Sequence, residues 1–312
     1  MPIPPSLKPL RLPAIASPMF LTSGPDLVVE TCKAGMIGSF PALNQRSSAG
    51  FRDWLHEIKA RLADAPGAAP YGVNLIVHKS NPRLEADLAI CIEEKVPLVI
   101  TSLGAVHELV EAVHGYGGVV FHDVINARHG RKAAGAGVDG LIAVAAGAGG
   151  HAGTTSPFAL VAELRSFFAG TIVLAGAINT GAQVAAARLM GADMAYLGTR
   201  FIATQEALVP QAHKQMIVDS VAADVVYTPS ISGVAANFLR PSIAAAGLDP
   251  DNLPSPEEMD ITSEASAWRD IWSAGQGVGG IADIPHAGEL VARLAEEYRA
   301  AMAAAAADPF AK

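Results

Sequence analysis

The chain has 312 residues, of which 51% are hydrophobic and 17% charged, and a formal net charge of −8 at pH 7. This composition supports a large folded core and excludes a disordered chain, while the acidic balance argues against nucleic-acid partners. The apolar runs are too short for a membrane span, and the proline-rich start at 1–9 lacks the apolar core of a signal peptide. We therefore expect a cytoplasmic protein without a membrane partner, in which Cys32 and Cys91 match neither a metal nor a disulfide spacing.

Short apolar runs alternate with helical patterns up to residue 197. Strands are predicted at 14–19, 36–40, 71–76, 98–101, 119–122, 140–144, 172–175 and 194–197. Helices are predicted between them at 25–34, 50–63, 83–94, 105–114, 127–136, 157–168 and 181–190. Because the strands are apolar throughout, we expect a parallel sheet covered by helices on its faces. This alternation predicts an α/β fold of the (β/α)8 TIM-barrel type, with an open doubly wound sheet as the competing architecture.

The regular alternation ends after Phe201. A helix is predicted at 206–220, a stretch punctuated by Pro, Gly and Ser follows up to Pro256, and a last helix is predicted at 284–305. We interpret the irregular part as an insertion in the last βα connection, since long loops in compact domains usually serve a function. The predicted division is a TIM barrel at 1–202 and 267–312, with a small, mostly helical cap at 203–266.

A glycine-rich loop around His151 follows the sixth predicted strand. Residues 145–153 read AAGAGGHAG, so little side-chain bulk surrounds the imidazole, and Gly150 can adopt a positive φ. Histidine exchanges a proton near neutral pH, and α/β barrels carry their chemistry at the carboxyl ends of strands. We therefore predict that His151 is catalytic and that Gly150 contacts a flat cofactor. The alternative is an incidental histidine in a flexible loop.

Two turns after the last two strands predict a phosphate site. The turn at 174–181 contains Gly176 and Ala177, and the turn at 197–201 contains Gly198, Thr199 and the cation of Arg200. Exposed backbone N–H groups and the positive end of a helix favour an anion. Because the turns lie one strand apart, we expect them to hold the phosphate of a mononucleotide. No glycine fingerprint of a dinucleotide or nucleoside-triphosphate site is present.

Other strand ends and a late loop are expected to contact the same cofactor. Asn74 places an amide in a buried strand, where a structural hydrogen bond is the alternative role. For His122, at the end of the fifth strand, cofactor contact and a structural imidazole are equally open. The complete set comprises Ser17, Pro18 and Met19 after the first strand, Asn74, His122, and Gln276 and Gly277 in the loop before the last helix.

These motifs resemble those of the nitronate monooxygenase family, formerly called 2-nitropropane dioxygenases. The resemblance covers most of the chain, and its most specific part is the pair GGHxG and GTRF, in this order on a barrel. Further matching segments lie at 17–19, 72–74, 138–139, 232–233 and 274–277.

The resemblance implies an FMN-binding TIM barrel with a cap domain. It implies that His151 is the catalytic imidazole beside the flavin and also contacts the substrate. The phosphate would be held by Gly176, Ala177, Gly198 and Thr199, and the ring system by Asn74 and Gln276, with Pro18 and Met19 lining it through their backbone.

The reaction implied by the resemblance is the oxidation of a small alkyl nitronate by dioxygen to a carbonyl compound, with release of nitrite. His151 would act as base on a neutral nitroalkane, or stay protonated and hold the anion. Ser232 and Phe238 of the cap would exclude water and shape an apolar substrate pocket.

Two departures from the family pattern concern the cofactor site. Asp123 stands where some members carry a lysine, and a carboxylate would oppose an electron-rich flavin unless it turns away or is protonated. Ala177 stands where many relatives have a second glycine.

Three alternatives remain open from the sequence. The nearest is an NAD(P)H-dependent flavin reductase of the quinone or enoyl reductase type on the same barrel. The others are a non-catalytic flavin or phosphate-ligand binding protein, and a lyase or isomerase of a phosphorylated metabolite. The sequence is compatible with a homo-oligomer but has no diagnostic surface for one.

The remaining histidines and two aspartates are expected to have no part in catalysis. Asp139 and Asp193 each precede a strand, so we expect them to cap amides at the bottom of the barrel. Solvated positions are predicted for His78, His107, His114, His129, His213 and His286.

Overall fold

A computed structural model of the chain describes residues 3–255 and 268–311. Residues 1–2, 256–267 and 312 lie outside the described residues, and they include the end of the predicted cap and the start of the second barrel segment. The prediction for 256–266 therefore has no structural counterpart here.

Eight parallel strands form a closed barrel, in the order β1-β2-β3-β4-β5-β6-β8-β9. Pairing of Ile15 with Tyr196 joins the last strand to the first, so the open-sheet alternative is wrong. Their bounds are β1 (Ala14–Ala16), β2 (Ile37–Pro41), β3 (Tyr71–Ile76), β4 (Leu98–Ser102), β5 (Val119–Val124), β6 (Gly140–Val144), β8 (Thr171–Ala175) and β9 (Met194–Leu197). The two-residue strand β7 (Gly150–His151) lies outside the barrel.

Helices follow the strands and cover the outside of the barrel. The helices up to residue 189 are α1 (Pro25–Lys33), α2 (Ser48–Ala63), α3 (Leu84–Glu93), α4 (His107–His114), α5 (Ala127–Gly135), α6 (Pro157–Arg165) and α7 (Gly181–Leu189). Every helix predicted in this part is present. The later helices are α8 (Thr199–Ile202), α9 (Gln211–Asp219), α10 (Arg240–Ala245) and α11 (Ala287–Ala306).

The core has one apolar layer inside the barrel and another between strands and helices. Leu7, from a short 3-10 helix (Pro5–Leu7), packs into the inner layer. The outer layer joins Val99 and Val120 of the strands to Phe51 and Leu164 of the helices. The inner layer contains Ile15, Ile37, Leu98, Ile100, Phe121, Ile142, Val173 and Met194. A filled interior leaves only the ends of the barrel for a ligand.

Asp139 and Asp193 lie just before barrel strands and bind backbone N–H groups there. Asp139 Oδ2 accepts from Val120 N at 2.8 Å, and Asp193 Oδ2 accepts from Ile172 N at 2.9 Å. The predicted amide-capping role of both carboxylates is confirmed. Cys32 and Cys91 are buried thiols.

The part of the chain between β9 and α11 contains a small antiparallel sheet. Strands β10 (Val225–Thr228) and β11 (Ala236–Leu239) pair with each other, and β11 also pairs with β7. These two strands were not predicted, because β11 pairs with β7, which belongs to the glycine-rich loop far away in the sequence. The helix predicted from 206 begins at Gln211, since Pro210 disfavours a helical residue before it.

Within residues 3–255 and 268–311, no helix has both the length and the apolar character needed to cross a membrane.

Candidate active site

A cavity of about 740 Å³ lies at the carboxyl end of the barrel. Every barrel strand or the turn after it contributes to the lining, as does the segment between 268 and 277. In barrels of this kind, the βα loops at the carboxyl end form the active site. The cavity is therefore where the predicted site residues are expected to meet.

Most of the predicted site residues line this cavity. They are Ser17, Pro18, Met19, Asn74, His122, Gly150, His151, Gly176, Ala177, Gly198, Thr199 and Gly277. Three predicted residues, Gln276, Ser232 and Phe238, are missing from the lining among the described residues.

The three residues outside the lining have structural surroundings instead. Phe238 is fully buried and stacks on Trp268 with ring centroids 4.8 Å apart, so it supports the wall from behind. Ser232 is buried and donates to the carbonyl oxygen of Val234 at 2.9 Å. Gln276 donates its backbone N–H to the carbonyl oxygen of Gly147, at 2.9 Å, and so holds the glycine-rich loop.

The backbone of His151 is paired with a later strand. As part of β7 it pairs with Ala236 of β11, and the preceding N–H of Gly150 donates to Ser273 Oγ at 2.8 Å. Gly150 has a φ of 68°, which favours glycine at this position. The imidazole is half-buried and meets the edge of Trp268, with centroids 5.5 Å apart. Sequence reasoning missed Trp268, because it follows the part of the chain expected to form the cap.

Several glycines of the site allow loops to touch each other. A Cβ on Gly149 would lie 2.9 Å from the backbone N of Gly275, and one on Gly275 would lie 2.5 Å from the carbonyl oxygen of Gly147. A Cβ on Gly277 would lie 3.0 Å from the backbone of Ala177. Close packing of loops therefore explains part of the glycine pattern that suggested a flat ligand.

The two predicted phosphate turns face the cavity with free backbone donors. No described residue accepts a hydrogen bond from the backbone N–H of Gly176, Ala177, Gly198 or Thr199. A Cβ on Gly176 would lie 2.9 Å from the carbonyl oxygen of Ala146, and one on Gly198 would lie 2.8 Å from Ser17 Oγ. This set of N–H groups with little side-chain bulk fits a phosphate group.

Arg200 does not belong to this cradle. Its side chain is only 3% exposed and pairs with Asp283 Oδ1 at 2.7 Å. The expectation that its cation lies beside the phosphate turn is therefore wrong. Its guanidinium points to the loop before α11, where it also donates to the carbonyl oxygen of Asp283 at 3.1 Å.

Polar side chains from β3, β4, β5 and β9 lie at the bottom of the cavity. Asn74 Nδ2 donates to Ser102 Oγ at 2.8 Å, and Ser102 Oγ donates to Asp123 Oδ2 at 2.6 Å. Tyr196 also lines the cavity there. Burial raises the pKa of Asp123 to about 6, although the Ser102 hydrogen bond and the charge of His151 act to lower it. Asp123 thus faces the ligand site instead of turning away.

Two further histidines of the lining are buried and neutral at pH 7. His122 shares a hydrogen bond of 2.7 Å with Thr101 Oγ1, and burial lowers its pKa to about 4. His213 stacks on Trp272 with centroids 4.7 Å apart, and burial lowers its pKa to about 4. The predicted solvated position of His213 is therefore wrong, because α9 turns this residue towards the cavity.

Comparison with known proteins identifies a family to which the chain is similar. A family model described as nitronate monooxygenase matches residues 82–297. Nitronate monooxygenase from Paraburkholderia phytofirmans is 27% identical over 346 residues, covering 92% of this chain and 92% of that protein. Nitronate monooxygenase from Neurospora crassa is 28% identical over 349 residues, covering 91% of this chain and 88% of that protein.

Solved structures share the architecture over nearly the whole chain. A nitroalkane oxidase from Streptomyces ansochromogenes superposes with a TM-score of 0.79 at 25% identity, covering 96% of this chain and 98% of that chain. FabK from Thermotoga maritima superposes with a TM-score of 0.80 at 24% identity, covering 96% of each chain, which shows a common fold.

Proposed function

Because the chain belongs to the nitronate monooxygenase family, we propose that it oxidises alkyl nitronates with FMN and dioxygen, giving a carbonyl compound and nitrite. Family membership makes the chain an oxidoreductase that acts on a small molecule. It also indicates flavin-dependent oxidation of nitro compounds. Our proposal adds that the cofactor is FMN and that the substrates are an alkyl nitronate and dioxygen.

One observation carries this proposal. His151 and the phosphate-type cradle of Gly176, Ala177, Gly198 and Thr199 line the same cavity. Its volume of about 740 Å³ is in the usual range for cofactor and small-ligand sites. A single cradle of backbone donors matches a flavin with one terminal phosphate, which favours FMN.

Residues of the chain position the substrate, transfer its proton and exclude water. Bound FMN would supply the electron acceptor, and the protein supplies position, proton transfer and exclusion of water. The His151 imidazole takes the acidic C–H proton of a neutral nitroalkane, or donates a hydrogen bond to the nitronate oxygen. Trp268, in contact with the imidazole, limits the directions in which the ring can turn.

The aliphatic lining at the mouth of the cavity favours a substrate with an alkyl substituent. Four aliphatic side chains that line it are more than one third exposed: Leu21, Leu103, Ile125 and Leu208. Leu21 and Leu103 have φ values of 57° and 66°, a conformation that L residues rarely adopt. Strained residues of this kind cluster at ligand sites. The exposed apolar surface can be covered by an alkyl chain.

A visible spectrum and a product assay test the proposal. We expect purified protein to show flavin absorption, to release FMN on heat denaturation, and to form nitrite aerobically from ethylnitronate without NADH. Colourless protein would contradict the cofactor assignment. Oxidation of NADH or NADPH by the protein in the presence of a quinone or enoyl substrate, without nitrite formation, would establish the reductase alternative instead.

A further inference from the structure

The half-buried Asp123, whose Oδ1 is covered from solvent, lies at the end of the polar chain that crosses the bottom of the cavity. Phe121 and Met194 pack inside the barrel, and side chains two residues further along a strand point to the same face. Asp123 and Tyr196 therefore also project into the barrel, one layer above them. The Ser102 hydroxyl donates to Asp123 Oδ2 at 2.6 Å, which fixes the orientation of the carboxyl group.

Two atoms of this group have no partner in the described part of the chain. They are Asp123 Oδ1 and Tyr196 Oη, both covered from solvent. Buried polar atoms nearly always have a hydrogen-bond partner in the functional state, because leaving them unpaired is costly. The pair offers one acceptor and one hydroxyl donor beside a cavity with a cofactor-type cradle.

Opposing effects act on the Asp123 carboxyl group. The Ser102 hydrogen bond and the charge of His151 favour its ionised form, but burial outweighs them. Burial raises the pKa of Tyr196 further above 10, and the charge of Asp123 adds to that rise, so the phenol stays protonated. His122, on the same strand, is neutral, while His129 and Lys132 line the cavity from α5 and His151 from β7.

We propose that Asp123 takes up a proton at its covered Oδ1 when the flavin bound in this cavity is reduced. This inference rests on the proposed function. Negative charge arriving next to a carboxylate favours the protonated form of that carboxylate. Some family members carry a lysine at this position, and its positive charge would balance the negative charge of a reduced flavin. In this chain, the proton taken up by Asp123 serves this purpose.

Reduction by dithionite involves both the flavin and Asp123. Dithionite is oxidised and transfers two electrons to the flavin, which takes its own proton from solvent. The Asp123 carboxylate takes one additional proton from solvent, forming an O–H bond at Oδ1. Reoxidation by dioxygen returns this proton.

Redox titration of the flavin-loaded protein at a series of pH values tests the inference. Near pH 7, wild type should take up as much as one proton more per two electrons than Asp123→Asn. For each pH unit, the equilibrium constant for flavin reduction would then change by a factor up to ten times larger in wild type than in Asp123→Asn. Asp219→Asn is the matched control, because it removes an exposed carboxyl group that does not line the cavity and should retain the additional proton.

Infrared difference spectra of wild type give a second measurement that needs no variant. Reduction should produce the carbonyl stretch of a protonated carboxyl group, and carboxylate bands should decrease. Bound flavin with equal proton uptake in wild type and Asp123→Asn, or without that carbonyl band, would overturn this inference alone. Protein that binds no flavin would overturn both this inference and the proposed function.

Discussion

His151 is positioned by main-chain contacts of the glycine-rich loop with later parts of the chain. The N–H of Gly150 donates to Ser273 Oγ, and Ser273 Oγ donates at 2.6 Å to the carbonyl oxygen of Asn237 in β11. Residues within and after the predicted cap thus hold the backbone next to His151. Substitution of the ring should therefore change the chemistry without displacing the loop.

His151→Asn should separate proton abstraction from oxidation. With neutral nitroethane, we expect kcat/KM for nitrite formation to fall by about 10² to 10⁴, the range for losing a general base. With preformed ethylnitronate, the proton is already gone, so the loss should be much smaller. Exposed His114, bonded to Asp139 outside the cavity, provides the control variant His114→Asn, which should behave as wild type. Equal losses on both substrates would exclude a role as base.

Asp123 should make stability depend on pH. Its pKa is about 6 in the folded chain and 3.8 ordinarily, so the folded state binds this proton more tightly. The contribution to stability is fully present below about pH 4 and is lost as pH rises to about 6. Asp123→Asn lacks this loss and should be more stable than wild type by about 3 kcal/mol at pH 8.

Urea unfolding of ligand-free protein at several pH values measures this effect. The difference in free energy of unfolding between variant and wild type should appear between pH 4 and pH 6. A difference that is constant over this range would show that burial does not perturb Asp123.

The sequence predicts correctly which strand ends and turns meet at the cavity. Strand ends placed His151, Asn74 and the phosphate turns in one cavity. It fails where the direction of a side chain decides, as for Arg200, which turns to Asp283, and Phe238, which lies behind Trp268. Those directions depend on contacts between residues far apart in the chain.

At the scale of elements, the barrel strands were predictable because each is apolar throughout. The predicted and observed bounds of β3, β6 and β9 coincide. Strands β10 and β11 could not be predicted, since β11 depends on pairing with β7 from the glycine-rich loop. The assignment of 203–266 as a separate cap stays a prediction.

Helices α7 and α11 pack closely enough to require glycine at their contact. A Cβ on Gly181 would overlap the backbone carbonyl oxygen of Leu294, which cannot move aside as a side chain can. Gly181→Ala should therefore destabilise the protein by about 1 to 3 kcal/mol, the usual cost of overpacking.

Gly288→Ala is the matched control on α11. No atom lies within 4 Å of the Cβ it would add, so helix propensity should raise stability by as much as about 1 kcal/mol. Thermal and urea unfolding of both variants checks the pair. Two variants of equal stability would contradict the close packing of α7 on α11.

For the whole molecule, the barrel brings aliphatic side chains from separate loops to one mouth. We expect kcat/KM of wild type to rise about two- to fourfold per added methylene in a series of linear nitronates, as each methylene is buried. Leu103→Ala should flatten this rise. Leu189→Ala, which removes a 64% exposed side chain outside the cavity, should leave it unchanged. A chain-length series identical in all three proteins would exclude the mouth as a determinant of specificity.

In the proposed function, one cavity of the whole molecule holds a flavin that a nitronate reduces. Anaerobic stopped-flow mixing of the purified protein with ethylnitronate, and separately with NADH, distinguishes this function from a reductase in a single experiment. We expect loss of the oxidised flavin absorbance with ethylnitronate and none with NADH, followed by recovery on admission of oxygen. Reduction by NADH alone, or protein without flavin absorbance, would contradict it.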